Sequence, residues 1–356
     1  MPKLIPWWTP ELAGTELEHI RTVLESGNLN DGDVTRRFEQ QFAEMVGAPY
    51  AVAVTSGTAA IFMGLAASGV GPGDEVLVPD LAPIAAPNAV RLTGATPVLV
   101  DVDRSTLTMD PVAAERAISR RTKAILPVHV TGRTGTFPKI LALAKTWKLA
   151  VVEDAAEALL SKHNGRCLGT FGRAGCFSFS PARTFSTGQG GMVVTSDADV
   201  YARVRQSVVG YNFKLTDLQA AIGLAQLPLV ATRIARMRAI QRIYREKLLP
   251  LTGLTVLPFA PEEVPHWTDV LIEGRDRVVA GLREHGMQSR NYWLPLHTQV
   301  PYRQTDVRFP NSSWASSRAL WLPSAYTLTD ADIHSVCDVI HKRADMPLPE
   351  LSMAKS

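Results

Sequence analysis

Cysteine is scarce in this chain of 356 residues, and neither sign of charge dominates it. The three cysteines are an odd number without the spacing of a metal site, which favours buried, reduced thiols in a cytoplasm over a disulfide framework; they are Cys167, Cys176 and Cys337. The net charge is only +3, and Lys and Arg form no concentrated block. We therefore expect no metal, no nucleic acid and no acidic membrane among the partners.

The chain also lacks a clear export or membrane segment. Its first residues, MPKLIPWWTPEL, have no apolar core of the signal-peptide type. Residues 47–73 carry no charge and are long enough to span a bilayer, but the sequence Val54-Thr55-Ser56-Gly57-Thr58 in their middle is typical of a strand, a polar turn and the start of a helix. We predict a cytoplasmic protein with no membrane-spanning segment.

The remaining composition is that of a globular protein, with 46% hydrophobic and 20% charged residues, and the length predicts a large domain plus a smaller one. Short apolar runs alternate with helical patterns in the first half, which is typical of an α/β fold with a mainly parallel sheet. We predict strands at 51–54, 75–78, 96–101, 124–128 and 150–153, helices at 59–67 and 140–147, and a long helix from about 215 to 248.

The predicted domain limits follow from where this alternation ends. Residues 1–235 form the large domain with an N-terminal arm, residues 236–345 a small α+β C-terminal domain, and residues 346–356 a frayed tail. Within the large domain, Ser56-Gly57-Thr58-Ala59 follows a strand and opens a helix, so its free N–H groups and a hydroxyl can cradle a phosphate. An ordinary N-capped turn is the alternative interpretation of the same four residues.

Seven motifs in a fixed order resemble the DegT-type sugar aminotransferases, pyridoxal-phosphate (PLP) enzymes of fold type I. They are Ser26-Gly27 with Phe38-Glu39, Thr55-Ser56-Gly57-Thr58-Ala59-Ala60, Gly73-Asp74-Glu75-Val76, Glu153-Asp154-Ala155-Ala156, Phe177-Ser178-Phe179, Gly188-Gln189-Gly190-Gly191 and Gly210-Tyr211-Asn212-Phe213. The resemblance runs in register from about residue 6 to residue 341 and implies the fold-type I architecture, with enzymes that usually aminate keto sugars or cyclitols.

The resemblance also implies roles for individual residues. Gly57, Thr58 and Ala59 would hold the cofactor phosphate together with Ser178. Asp154 would pair with the pyridine nitrogen and keep it protonated, although an isolated Asp after a strand is more often a helix cap. Asn212 matches an asparagine that reaches the phosphate from a neighbouring subunit, which implies a homodimer with shared active sites.

One position departs from the family pattern. The family has a lysine five residues after the serine, which forms the Schiff base with the cofactor, and counting from Ser178 leads to Arg183. No lysine occurs between Lys162 and Lys214, so a shifted alignment does not recover one. A guanidinium is a poor nucleophile and a poor base, but it binds anions in a fork geometry. A surface or salt-bridging arginine is the alternative interpretation of Arg183.

Further departures concern the same predicted pocket. Pro83 stands where the family usually places an aromatic ring against the cofactor. Glu157 stands where the family has Gln or His near the ring hydroxyl of the cofactor, and a carboxylate there repels a phenolate-like oxygen unless one of them is protonated. The connection from Arg205 to Gly210 is short, whereas relatives commonly carry a longer loop at this place that contacts a sugar nucleotide.

Several weaker candidates remain open between structural and functional roles. His129, His266 and His297 fall where relatives often carry histidine near the mouth of the site. Trp7 and Trp8 either cover the substrate entrance or pack in the core, and Lys214 stands where relatives usually have arginine.

We predict an enzyme of specialised small-molecule biosynthesis that keeps the dimeric fold without standard lysine-based transamination. Arg183 would bind an anionic part of the substrate, with Glu157 and Asp154 as acid/base groups. The resemblance implies PLP or its amine form, pyridoxamine phosphate (PMP), as cofactor, whereas the missing lysine argues against either. The alternatives are an aminotransferase or dehydratase-like enzyme with a non-covalently held cofactor and a non-catalytic partner of an active paralogue.

Overall fold

The computed structural model describes residues 3–12 and 14–344, which form thirteen strands and twelve α-helices. The strands are β1 (Tyr50–Val54), β2 (Glu75–Pro79), β3 (Thr96–Val100), β4 (Thr122–Ile125), β5 (Ala150–Asp154), β6 (Lys162–His163), β7 (Arg166–Cys167), β8 (Ala174–Ser178), β9 (Gly191–Thr195), β10 (Leu254–Val256), β11 (Asp269–Ile272), β12 (Arg290–Asn291) and β13 (Ala319–Trp321). The helices are α1 (Glu16–Ser26), α2 (Asp33–Val46), α3 (Gly57–Ala67), α4 (Ala85–Leu92), α5 (Pro111–Ala117), α6 (Phe137–Trp147), α7 (Ala198–Gly210), α8 (Asp217–Gln226), α9 (Val230–Leu248), α10 (Arg275–Glu284), α11 (Pro310–Ser316) and α12 (Asp330–Ala344).

Seven strands form the main sheet in the order β1-β9-β8-β5-β4-β2-β3. Strand β9 runs antiparallel to both of its neighbours, β1 and β8, and the pairs from β8 through β5, β4 and β2 to β3 are all parallel. The other six strands therefore end at one edge, which is where open α/β sheets bind their ligands.

Both faces of this sheet are buried, and the strand sequences reflect that. In β1, Val52 and Val54 pack into one apolar cluster, whereas Ala51 and Ala53 pack into the cluster on the opposite face. Helix α3 covers the first face, where Gly64 comes close enough to β8 that an added Cβ would lie 3.1 Å from Cys176 Sγ. Strands that bury both faces read as continuous apolar runs, as these do.

A second, four-stranded antiparallel sheet has the order β10-β11-β13-β12. Its own apolar cluster joins it to the long helix α9 and to α10 and α12, and includes the fully buried Tyr244, whose hydroxyl donates a hydrogen bond to the carbonyl of Pro323 (2.9 Å). A two-stranded ribbon of β6 and β7 completes the strand pairing of the described residues.

The predicted α/β class with a mainly parallel sheet is confirmed. The strand predicted at 124–128 is too long, because β4 ends at Ile125 and Pro127, two residues on, has no N–H to donate. The helix predicted at 215–248 is wrong as one element: a 3₁₀ turn at Leu227–Leu229, which contains Pro228, separates α8 from α9. The domain limits 1–235 and 236–345 stay predictions, and the predicted tail 346–356 lies outside the described residues.

Among the described residues, one stretch is long and apolar enough to cross a membrane by length and composition, residues 217–248, and 56% of an apolar 18-residue segment within it is buried inside the protein. It is the pair α8 and α9. The uncharged segment 47–73 contains the strand β1 and the helix α3, separated by a turn, as the sequence predicts.

Candidate active site at the carboxyl edge of the main sheet

The turn between β1 and α3 packs directly against the last residue of β8 and the first residue of β9. Ser56 caps α3, and its Oγ accepts a hydrogen bond from the N–H of Ala59 (3.1 Å). A Cβ added to Gly57 would lie 2.7 Å from Ser178 Cβ, and one added to Gly191 would lie 2.4 Å from the Ser56 carbonyl oxygen. Glycine is therefore required at both positions, and the structure brings the predicted phosphate residues of α3 next to Ser178.

The phosphate cradle, residues 57–59 with Ser178, has two open N–H donors, those of Gly57 and Thr58; the predicted third, that of Ala59, is bonded to Ser56 Oγ. Gly57 and Thr58 are the first residues of α3, whose N–H groups have no preceding turn to bond with, and Thr58 is only partly buried. The helix dipole adds positive potential at the same place. Asn212, by contrast, is exposed, and it follows α7 in a left-handed conformation with φ of 56°.

Asp154 ends β5 and is 3% exposed. Its Oδ1 accepts a hydrogen bond from the N–H of Ala156 (3.1 Å). Burial raises the pKa of Asp154 above its ordinary value, and the N–H of Ala156 and the charges of Arg183 and His129 act in the opposite direction. A buried carboxylate in this position gains from a cationic partner.

Glu157 and Arg183 form an ion pair in the same region. Arg183 Nη1 donates to Glu157 Oε1 (3.2 Å), and the N–H of Thr131 donates to Glu157 Oε2 (2.9 Å). The side chains are 16% and 3% exposed for Arg183 and Glu157, respectively. Burial raises the pKa of Glu157, the charge of Arg183 and the Thr131 N–H lower it, and the nearby Asp154 raises it. Arg183 is thus a salt-bridging arginine inside the site and not a surface residue.

The guanidinium of Arg183 also faces an aromatic ring. Its Cζ lies 5.5 Å from the centroid of the Trp267 ring, within range of a cation–π contact. Its Nε is buried without a hydrogen-bond partner, and Nη2 donates to no described residue. The side chain therefore has donor capacity beyond the bond to Glu157.

Sequence reasoning missed a second charged group that adjoins Glu157. Arg133 and Asp269 form a buried, two-pronged ion pair, and Tyr292 donates its hydroxyl hydrogen to the same carboxylate. Arg133 also donates to Thr131 Oγ1 (2.6 Å). None of these residues lies in a motif, and Arg133 and Asp269 are 136 positions apart, so no local pattern in the sequence signals the contact.

The three histidines singled out in the sequence are buried and hydrogen-bonded. His129 Nε2 lies 2.9 Å from Glu153 Oε2, and His297 bridges Asp80 and Asp306 through its two ring nitrogens. His266 Nε2 lies 3.0 Å from the carbonyl oxygen of Ala182, next to Arg183. Burial, together with the Arg183 charge, holds the pKa of His266 well below its ordinary value. The contacts of all three histidines are those of structural residues.

Both N-terminal tryptophans pack close to the pocket. Trp8 Nε1 donates to the carbonyl of Pro181 (3.0 Å), two residues before Arg183, and the ring of Trp7 lies 5.0 Å from that of Trp267. The N-terminal segment therefore supports the loop that carries Arg183.

Lys214 forms an isolated antiparallel bridge with Val54, at the end of β1, and is partly buried. Pro83 lies in the turn between β2 and α4, with no aromatic ring in its place.

The family model for the DegT/DnrJ/EryC1/StrS aminotransferase family matches residues 10–341. The chain belongs to this family. It is 36% identical to a GDP-perosamine synthase of Escherichia coli O157:H7, with 96% of this chain and 98% of the relative covered. It is also 36% identical to a GDP-perosamine synthase of Caulobacter vibrioides, over 92% of this chain and 95% of the relative.

Solved structures share the fold over nearly the whole chain. The aminotransferase TlmJ from Streptoalloteichus hindustanus superposes with a TM-score of 0.90 at 30% identity, over 96% of this chain and 98% of that one. DesV from S. venezuelae, solved with a ketimine intermediate, gives a TM-score of 0.89 at 31% identity, over 94% and 95% of the two chains. The fold is that of the PLP-dependent sugar aminotransferases, as predicted.

The residues of this chain fit the phosphate and the ring nitrogen of the family cofactor, but not its covalent attachment. The close approach of Gly57 to Ser178 and the open N–H groups of α3 suit its phosphate, and the buried Asp154 suits a protonated ring nitrogen. The guanidinium of Arg183, paired with Glu157, does not suit a covalent bond to it. Within residues 3–12 and 14–344, no cluster of three or more His, Cys, Asp or Glu side chains is placed to hold a metal ion.

Proposed function

We propose that this chain is a cytoplasmic DegT-family enzyme of specialised sugar, aminocyclitol or natural-product biosynthesis that does not perform standard lysine-aldimine transamination and whose Arg183 binds an anionic group of the substrate. The observation that supports this is the ion pair between Arg183 and Glu157 at the carboxyl edge of the sheet. A guanidinium held by a carboxylate stays protonated, so it neither attacks a carbonyl nor removes a proton.

Arg183 binds an anionic group of the substrate, a carboxylate or a phosphate. Its Nη2 donates to no described residue, its Nη1 is held by Glu157, and its Cζ lies 5.5 Å from the centroid of the Trp267 ring. A fork of N–H donors that is already oriented loses little side-chain entropy when it takes an oxyanion. The relatives that are named GDP-perosamine synthases favour a sugar as the rest of the substrate.

Asp154 and Glu157 are the acid/base groups. Burial raises the pKa of both carboxyls, and one guanidinium cannot neutralise two carboxylates and a substrate anion at the same time. Binding of an anion therefore favours protonation of one carboxyl, which leaves an acid beside the bound substrate and a base next to it. Affinity for the anion falls as the pH rises above the raised pKa values.

A second candidate function is a PLP- or PMP-dependent enzyme that holds its cofactor without a covalent bond. The specific observation in its favour is the Gly57–Ser178 contact beside the start of α3, together with the buried Asp154. The cofactor would supply an electron sink for carbon–nitrogen chemistry. Gly57, Thr58 and Ser178 would hold its phosphate, whereas the predicted donor Ala59 has its N–H bonded to Ser56 Oγ. Asn212 of a second subunit would add a further contact to the phosphate, and Asp154 would keep the ring nitrogen protonated.

The absorption spectrum of the purified protein during titration with PLP tests both candidates. We expect wild type to give no stoichiometric adduct on a single lysine after borohydride reduction, and Arg183→Lys to give one on the new lysine, identified by peptide mass spectrometry. Arg183→Met is the matched control, because it removes the charge without adding an amine.

The outcomes separate the two candidates. Saturable but reversible PLP binding by wild type supports the second candidate, and no binding by wild type with binding by Arg183→Lys supports the first. A stoichiometric reduced adduct on one lysine of wild type contradicts both, and the chain is then an ordinary transaminase with a displaced lysine.

A further inference from the structure

Thr131 has an unusual backbone conformation for its residue type. It is fully buried, with φ of 52° and ψ of 16°, in the left-handed region. β-Branched residues avoid this region, and they stay there only where their surroundings hold them, most often at functional sites. The cause of the conformation is therefore to be found among the contacts of Thr131.

Arg133 provides the main contact. Its Nη1 donates to Thr131 Oγ1 and to Asp269 Oδ2, both at 2.6 Å, while Nη2 donates to the second oxygen of Asp269. Its Nε donates to the carbonyl of Pro258 (3.1 Å). Arg133 and Asp269 are 3% and 0% exposed, so the pair is shielded from solvent and tied to the first residue of β11.

The left-handed turn directs the N–H of Thr131 to the site. That N–H donates to Glu157 Oε2 (2.9 Å), and the other oxygen of Glu157 accepts from Arg183. The Thr131 carbonyl accepts from the N–H of His266 (2.9 Å), so both sides of the residue are fixed. A continuous set of polar contacts thus joins the antiparallel sheet to the pocket.

We propose that Arg133 is a positioning residue: its ion pair with Asp269 holds Thr131 in the left-handed conformation, so that the Thr131 N–H fixes the Glu157 carboxylate opposite Arg183. The proposal rests on the proposed function only in taking Glu157 as a working group of the site. It assigns a role to a charged pair that touches neither the cradle nor Arg183.

The charged and titratable groups around Glu157 determine what loss of this contact does. Burial raises its pKa most, the Arg183 charge and the Thr131 N–H lower it, and Asp154 raises it. Tyr292 lies within electrostatic reach, and its own pKa is raised well above its ordinary value, mainly by burial, so it stays neutral. Removing the N–H from the carboxylate therefore moves the pKa of Glu157 upward.

The pKa of Glu157, measured by carbon NMR of protein labelled at the glutamate carboxyl, tests the proposal. The spectrum of Glu157→Gln identifies its signal. Arg133→Lys keeps the positive charge but cannot bond to both Asp269 oxygens and Thr131 Oγ1 at once. We expect an upward shift of the Glu157 pKa in this variant. Arg205→Lys is the matched control, since Arg205 makes a similar two-pronged pair with Glu39.

A second background makes the test specific. Thr131→Gly keeps the N–H and adopts positive φ without strain, so we expect its Glu157 pKa to match wild type and Arg133→Lys to shift it less in this background. Equal shifts in both backgrounds, or no shift in a folded Arg133→Lys protein, overturn the proposal. If Arg133→Lys does not fold, Asp269→Glu replaces it, with the same expected shift, because it keeps the negative charge but displaces the carboxylate from Arg133. The readout needs no substrate or cofactor, so failure of the proposed function leaves it unaffected.

Discussion

The ionisable side chains of the site are buried carboxyls with few partners, which makes their protonation a property of the fold. Among the described residues, the Asp154 carboxylate accepts one hydrogen bond, from the N–H of Ala156, and the charge of Arg183 acts on it. Because burial raises its pKa, the folded protein binds this proton more tightly than the unfolded chain does. The stabilising contribution is present below the ordinary pKa of an aspartate and is lost as the pH rises through the raised value.

Asp154→Asn should remove this loss of stability with rising pH. Asparagine keeps an oxygen for the Ala156 N–H and carries no charge, so we expect the free energy of unfolding of the variant to exceed that of wild type by an amount that grows with pH. Urea unfolding at a series of pH values measures this. Asp197→Asn is the control of opposite sign, because the backbone N–H of Val200 lowers the pKa of Asp197 and its contribution is lost as the pH falls. Parallel curves for Asp154→Asn and wild type would contradict the expectation.

The residues of the site differ in how far the sequence reveals them. Ser56 to Ala59 and Asp154 follow apolar strands, so their positions at the sheet edge follow from local pattern, and counting from Ser178 to Arg183 places the arginine in the same pocket. Its pairing with Glu157 does not follow, because it depends on how a loop folds back. Thr131 and Asp269 give no signal, since neither residue type indicates a left-handed turn or a buried pair.

At the scale of elements, one buried carboxylate joins two helices. Asp217, 1% exposed at the start of α8, accepts hydrogen bonds from the N–H of Gly32 (2.8 Å) and from the N–H (3.0 Å) and hydroxyl of Thr35. It therefore caps α2 from outside that helix, where the Gly32 cap makes no side-chain bond of its own.

Asp217→Ala should lower the free energy of unfolding by about 2 kcal/mol, because three donors lose a charged acceptor and two of them are main-chain groups near the protein interior. Thermal and urea unfolding measure the change. Asp33→Ala, in the exposed first turn of the same helix, serves as control and should cost clearly less, within about 1 kcal/mol. Equal losses in the two variants would show that Asp217 acts only through general helix electrostatics.

The broken helix explains why the element prediction failed between residues 215 and 248. The apolar and basic pattern continues across the break, so periodicity alone does not locate it. Pro228 lies one residue into the 3₁₀ turn, and a proline ends the preceding helix because it lacks an N–H and restricts the residue before it. The strands of the main sheet, in contrast, can be predicted from the sequence, because burial on both faces of the sheet requires uninterrupted apolar residues.

On the scale of the whole molecule, the surface beside the cradle carries apolar side chains that a single chain leaves in solvent. Val209 and Tyr211 are each 59% exposed, and Ile84 is 40% exposed. They flank Asn212 and the turn after β2. Burial of these side chains would favour association, and a second copy of the chain is the partner that the predicted role of Asn212 requires.

We predict a homodimer, with a mass by light scattering of twice 38.7 kDa. Val209→Glu places a charge in the proposed contact and should yield monomers that remain folded by circular dichroism. Leu249→Glu is the control, because Leu249 is 71% exposed at the end of α9 and lies outside this surface. A wild-type monomer, or a dimer unaffected by Val209→Glu, would exclude this surface as the interface.

The reversed direction of β9 has a consequence for how such a site can change. The segment that carries Arg183 leaves β8 and returns in β9, and it is closed at its base by the pairing of Ser178 with Gly191 and by the bond from the Phe179 N–H to the Gly190 carbonyl (2.9 Å). No crossover helix depends on it. The side chain at position 183 can therefore be substituted while the sheet around it stays the same, and a new chemistry can be acquired there without a change of fold.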